Sequence, residues 1–278
     1  MEFFAQHSGP WLLGLAAALL ATGLVAGVLA GLLGVGGGIV IVPMLYHLFT
    51  LLGIDESVRM HVAVGTSLAT IVPTSIVSSR AHRRKGSLDP ALIRRLLPSV
   101  IAGVALGALA SGFLKGWVLT AVFASVALGV ALNMAFKRDG FALRDGLPGP
   151  LGTALLGSGI GGVSTLMGIG GGTLSVPILN ALRVPMHTAV GTGALLGTVI
   201  SVPGALAFMI GGLDVPLRPP LSLGYVNLLG FALIVPATLL TTAWGATLAH
   251  RIDARRLRWL FAAFLALTSA RMFVGLLN

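Results

Sequence analysis

Two short glycine runs have the residue types and spacing to bind an anion. Residues 32–43 read LLGVGGGIVIVP and residues 166–177 read LMGIGGGTLSVP. The glycines are Gly34, Gly36, Gly37 and Gly38 in the first, and Gly168, Gly170, Gly171 and Gly172 in the second. Glycine lets the backbone adopt positive φ and approach a ligand closely. Each run opens an apolar helix whose first N–H groups lack partners within it, and the peptide dipoles draw negative charge to that end. A second motif supplies hydroxyls: MHVAVGT at 60–66 and MHTAVGT at 186–192. Gly65, Thr66 and Ser67 in one, and Gly191 and Thr192 in the other, could hold an oxyanion with neutral donors instead of a buried charge. Structural roles stand beside these. Glycine runs also serve close helix contact, and Ser or Thr can bond back to its own helix. Neither run is a dinucleotide or phosphate-loop fingerprint, because the strand, the βαβ setting and the P-loop lysine are missing.

The other chemically capable residues are few. His61 and His187 are mirrored, and each stands at a helix end, where an interfacial, capping or gating role fits. Arg271 is an ionisable residue inside an apolar segment, which marks function by default, although it lies close enough to the chain end to snorkel outward. Pro43 and Pro177 are expected to kink or end the short helices after the glycine runs. The chain has no cysteine, and no spacing of ligands suggests a metal or a cofactor. A hydrolase would need a nucleophile paired with a base at membrane depth. Gly157-Ser158-Gly159 is the nearest approach to one, but no spacing links it to His187 or His250.

The elements that must position these residues are membrane helices. Hydrophobic residues make up 56% of the chain and charged residues 9%, against about a quarter charged in a soluble domain. Residues 3–54, 60–79, 96–114, 116–136, 147–182, 184–213 and 219–250 contain no Asp, Glu, Lys or Arg. Uncharged apolar runs of about 18 residues or more read as membrane spans. Ten helical segments are expected: 11–33, 39–53, 61–79, 91–114, 117–136, 150–167, 173–182, 187–210, 222–249 and 257–277. Segments 39–53 and 173–182 are short enough to cross only in part. The net charge of +10 fits basic loops on the cytoplasmic side of a membrane, so the partners are a lipid bilayer and a small anionic substrate, not a nucleic acid. Self-association into a homo-oligomer stays open.

The two glycine runs are one repeat seen twice. Gly36 matches Gly170 at an offset of 134, and His61 matches His187 at an offset of 126, so the first half carries eight extra residues around Thr50–Arg59. Pro98 with Pro236 and Gly107 with Gly245 extend the match. The chain divides into a first half, 1–136, a polar linker, 137–149, and a second half, 150–278. If each glycine turn links a down-and-back pair, the halves are inverted, with fourteen Lys and Arg on one side, three on the other, and Arg271 near the latter end. If each pair makes one crossing, the halves are parallel and the split is ten against seven. The positive-inside rule favours inversion, with the linker inside and both termini outside. In inverted repeats, two broken helices facing each other form a recurrent transporter site.

With these motifs and this two-half plan, the sequence resembles the TauE/SafE sulfite exporter family, also called the toluene sulfonate uptake permease family. LGVGGGIVIVP, MGIGGGTLSVP and the two AVGT segments, 63–66 and 189–192, carry the resemblance, which spans nearly the whole chain. It implies a multi-pass carrier in a bacterial inner membrane, not an enzyme. The cargo it implies is sulfite, a sulfonate or a related small organic acid, most readily for export. An anion channel is the alternative.

Overall fold

The computed structural model describes residues 9–33, 37–136, 144–248 and 254–277. Gly34, Gly36, His250 and the linker's first residues, 137–143, lie outside them. The described residues form ten helices. The first half contains α1 (Gly9–Leu33), α2 (Gly38–Leu51), α3 (Glu56–Arg84), α4 (Pro90–Ser111) and α5 (Gly116–Phe136). The second contains α6 (Pro150–Met167), α7 (Gly171–Ala181), α8 (Met186–Gly211), α9 (Leu228–Leu248) and α10 (Ala254–Leu277). A small antiparallel hairpin, β1 (Ser222–Leu223) with β2 (Val226–Asn227), precedes α9.

Six of these helices, α1, α3, α4, α5, α8 and α10, contain stretches long and apolar enough to cross a membrane. Leu106, Leu109, Phe113, Leu240 and Leu267 stand more than half exposed. That much outward apolar surface would be a liability in water and is ordinary against lipid. The four tryptophans stand near helix ends, Trp11 and Trp117 at the starts of α1 and α5, Trp244 late in α9 and Trp259 early in α10. Tryptophan gathers at the two membrane–water interfaces in this way.

Lipid gives helices no hydrophobic reason to associate, so small residues that admit close backbone contact carry the packing. α1 lies along α9, and α4 along α6. Gly23 packs on the Ile234 carbonyl and Gly27 on Thr238, while Gly103 packs on Ser158 and Gly107 on Gly162. Residue numbers rise together across both seams, so each pair runs parallel. α3 runs antiparallel to α8: Gly65 meets Phe208, Gly204 meets Leu68, Gly197 meets Ser75, and Gly191 meets Ser87.

Several boundaries differ from the sequence reading, each for a local reason. α3 begins at Glu56 because Asp55 caps it, accepting from Ser57 N at 2.9 Å. The first half's extra residues therefore lengthen α2, add this loop and add a first turn to α3. The segment expected from 222 starts as a helix only at Leu228. Asn227 accepts from Gly230 N at 2.8 Å through Oδ1, capping α9, and donates to the Pro220 carbonyl at 3.0 Å. Pro43 and Pro177 do not break their helices. Both lie inside, as the sixth residue of α2 and the seventh of α7. There the missing N–H forfeits only the bond to Ile39 or Thr173.

Candidate functional site

α2 and α7 are half-helices. Their 14 and 11 residues span roughly 21 and 16 Å at the usual rise, short of a hydrocarbon core of about 30 Å. Both start in the middle of the bundle. A Cβ on Gly38 would lie 2.7 Å from the Gly168 carbonyl and 3.0 Å from Ile169 Cα, so the two glycine turns touch. Ser67, mid-way along α3, donates its hydroxyl to the Gly168 carbonyl at 2.7 Å. Gly168 itself takes φ +68° to end α6, with Val64 Cα against it. On the other side, a Cβ on Gly171 would come within 2.6 Å of Leu196 Cβ and 2.7 Å of Gly197 N on α8.

From this meeting point the half-helices diverge. α2 ends beside the start of α3, where the Arg59 guanidinium lies 5.8 Å from the Tyr46 ring. α7 ends beside the start of α6: Gly146 N donates to the Leu182 carbonyl at 3.1 Å, and Arg183 pairs with Asp145 at 2.9 Å. The start of α5 joins the α2 end, because Gly116 packs on Glu56 and Ser57. The end of α3 joins the α7 end, through Ser87 against Gly191.

Neither half-helix has a side-chain cap. The N-cap residues are Gly37 and Gly170, and neither start shows a side-chain cap hydrogen bond among the described residues. Residues 60–79, 147–182 and 184–213, which supply most of the surroundings, carry no Asp, Glu, Lys or Arg. Two uncapped helix starts in a charge-free interior can stabilise a small anion through backbone N–H groups.

The two Gly-Thr motifs have diverged. Thr66 is fully buried and its hydroxyl oxygen accepts from Asn227 N at 2.8 Å, which anchors the hairpin. Thr192 is equally buried, yet its hydroxyl has no partner among the described residues. The histidines differ too. His187 is exposed. His61 is buried: Nε2 lies 3.1 Å from the Leu114 carbonyl and its ring stacks on Tyr225 at 4.8 Å. Arg271 is exposed on α10 and away from the glycine turns, on the same helix end as Gly275, which faces the Tyr46 hydroxyl. Ser158 donates to the Ser99 carbonyl at 3.1 Å, so it is a packing residue of the α4–α6 seam, and no base accompanies it there.

Sequence reasoning missed three hydroxyls. Ser164, Ser175 and Ser201 are fully buried and lack hydrogen-bond partners among the described residues. Their only signal in the sequence is a serine within an uncharged, largely apolar run. An apolar pocket lined in part by Leu15, Leu19, Phe49 and Asn227 lies by the hairpin, away from the glycine turns.

A helical, multi-pass membrane protein with two half-helices meeting at its centre has a plan that recurs among membrane transporters. The chain belongs to the family described as sulfite exporter TauE/SafE, which matches residues 19–272. It is 34% identical over 257 residues, covering 92% of this chain and 97% of the relative, to a probable membrane transporter protein of Haemophilus influenzae. Probable membrane transporter proteins of Methanocaldococcus jannaschii, at 26% identity over 92% of this chain and 94% of the relative, and of Bacillus subtilis, at 28% over 70% and 78%, are similar to it as well. No solved structure matches the chain.

Proposed function

We propose that this chain is a secondary transporter that exports a small sulfur-containing anion, sulfite or an organosulfonate, across a bacterial inner membrane. The observation that carries this reading is the contact between the glycine turns, Gly38 against Gly168, which sets two uncapped helix starts at one point in a charge-free interior. The family supplies the sulfur chemistry. The substrate-binding residues are then those of the two glycine turns.

The two halves are inverted in this reading. Equivalent helices α3 and α8 pack antiparallel, which suits a two-fold axis lying in the membrane plane. The α1–α9 contact recurs between the corresponding helices α6 and α4. The end that holds the starts of α4 and α6 carries Arg80, Arg83, Arg84, Lys85, Arg94, Arg95, Arg144 and Arg183, and the opposite end carries Arg59, Lys115, Arg218 and Arg271. The richer end is cytoplasmic by the positive-inside rule, leaving both termini outside.

Purified protein in liposomes is expected to move sulfite or methanesulfonate with saturable, trans-stimulated kinetics. Absence of flux for every sulfur oxyanion and small organic acid overturns the reading. Non-saturable flux without counterflow makes the protein a channel.

A further inference from the structure

We propose that the anion seat lies at the start of α7 with Ser201 as its side-chain donor, and that it takes singly charged oxyanions in preference to dianions. This rests on the transport reading above. On α8, Gly197, Ser201 and Gly204 stand four and three residues apart and so share a face. A Cβ on Gly197 would lie 3.7 Å from Gly171 N, the first residue of α7, and a Cβ on Gly204 would lie 3.5 Å from the Thr165 methyl near the end of α6. Ser201 stands between them along α8, on the face that meets the start of α7 and the end of α6.

A helical serine ordinarily returns its proton to a carbonyl three or four residues back, as Ser75, Ser99 and Ser111 do here. Ser201 is 0% exposed and does not. Its equivalent at the offset of 126 that aligns His61 with His187 is Ser75. Ser75 donates to the Val72 carbonyl at 3.1 Å and accepts from Thr198 at 3.1 Å. One member of the mirrored pair is satisfied within the protein, and the other holds an unused donor beside an uncapped helix start. Ser164 and Ser175, on α6 and α7, are also buried and unpartnered, so unused donors gather in the second half.

Charge selectivity follows from the kind of donor. Moving an ion out of water costs free energy as the square of its charge, so a dianion costs about four times a monoanion. Hydroxyls and a helix start worth roughly half an elementary charge repay only in proportion to the charge. No cation stands by to make up the difference. α6 and α7 carry no titratable side chain. Those on the neighbouring helices stand toward helix ends: Tyr46 and His47 on α2, Arg80 and His82 on α3, Arg94 and Arg95 on α4, and His187 on α8. Along α3, Arg80 and His82 stand closest to Ser75, the residue beside Gly197, and Arg80 is exposed; His61 is engaged with Leu114 and Tyr225.

The test is uptake into proteoliposomes, above that of protein-free liposomes, of sulfite and of methanesulfonate in mildly acidic and mildly alkaline buffer. Sulfite passes from monoanion to dianion across neutral pH; methanesulfonate stays a monoanion and reports any titration of the protein itself. Sulfite uptake at fixed total concentration is expected to fall on the alkaline side with the fraction of hydrogen sulfite, while methanesulfonate uptake holds. Sulfite uptake that stays level or rises overturns the charge preference. Ser201→Ala is expected to raise the half-saturating concentration of both anions roughly tenfold or more, the effect of a lost hydrogen bond to a charge. Its thermal midpoint without ligand should not fall, because no internal bond is removed, and the midpoint rise caused by methanesulfonate should be lost. Unchanged half-saturation in Ser201→Ala overturns the seat. If the unsubstituted protein moves neither anion, the transport reading fails and the seat fails with it.

Discussion

The Tyr225 carbonyl lies over Gly65, where a Cβ would come within 2.5 Å of it. The mirrored glycine, Gly191, lies under the Ser87 carbonyl at the same 2.5 Å. Each glycine of the paired AVGT motifs therefore seats a loop from the opposite half, and the two seats are at opposite ends of the bundle. At the Tyr225 end the neighbours of Gly65 join in: His61 stacks on the Tyr225 ring and Thr66 accepts from Asn227 N. The motif thus holds a hairpin over one approach to the glycine turns.

Gly65→Ala should lift that hairpin. The added methyl meets a carbonyl and the Phe208 side chain at 3.1 Å, and overpacking of this kind costs about 1–3 kcal/mol. The chain has no cysteine, so Leu223→Cys gives a single reporter on the hairpin. Its labelling by a membrane-impermeant maleimide is expected to quicken in the Gly65→Ala background. Equal labelling rates would mean that the hairpin does not depend on Gly65.

Thr66 and Thr192 should separate by stability. Thr66→Val removes the only acceptor shown for the buried Asn227 N–H, and leaving such a donor unpaired costs about 1–3 kcal/mol. Thr192 has no partner to lose. Thermal unfolding in detergent should show a lowered midpoint for Thr66→Val and little change for Thr192→Val. Equal losses would contradict the different roles assigned to the two hydroxyls.

This division shows what a sequence can and cannot disclose. The helical membrane character and the meeting of the glycine turns were legible because the charge-free apolar runs and the paired glycine motifs repeat both residue type and order. Hydrogen-bond partners were not, since Thr66 and Thr192 sit in the same letters and differ only in the loop each meets. The hairpin before α9 was hidden because Ser222–Asn227 carry no charge and run directly into the apolar α9. Pro43 and Pro177 do not end their helices, because proline near a helix start loses a single bond. Ser201 was invisible for another reason: an unsatisfied hydroxyl is a property of neighbours, not of spacing.

Single-cysteine labelling should also decide how the halves are related. α2 ends near Leu51 and α7 near Arg183. Leu51→Cys is expected to react with an impermeant reagent from the periplasmic side and Arg183→Cys only from the cytoplasmic side. Lys115→Cys should follow Leu51→Cys, and Asp145→Cys should follow Arg183→Cys. Reaction of Leu51→Cys and Arg183→Cys from one side would make the halves parallel.

Asp55 supplies a pH-dependent term to the start of α3. The Ser57 hydroxyl and backbone N–H donate to its carboxylate and hold it below the ordinary carboxylate range. A carboxyl lowered in the folded state adds stability above its unfolded pKa and loses it as pH falls through the folded value. Asp55→Ala should therefore lower the thermal midpoint modestly at neutral pH. The difference from the unsubstituted protein should close in strong acid. A gap that persists there would assign the effect to something other than the charged cap.

Gly170 and Gly171 give the sharpest contrast at the turn itself. Gly171 is walled by Leu196 Cβ and Gly197 N at 2.6 and 2.7 Å, so Gly171→Ala must push α7 from α8. Backbone cannot yield as a side chain can, and a loss of about 1–3 kcal/mol is expected. Gly170 has φ −72°, open to any residue, and its nearest foreign atom is the Ile71 side chain at 3.4 Å. Gly170→Ala should therefore fold with an unchanged midpoint while placing a methyl at the cap of α7, where the anion is proposed to sit. Expression and thermal midpoint should match the unsubstituted protein, and the half-saturating concentration for methanesulfonate should rise several-fold. If Gly170→Ala transports with unaltered kinetics, the turn is a packing device and the anion binds elsewhere.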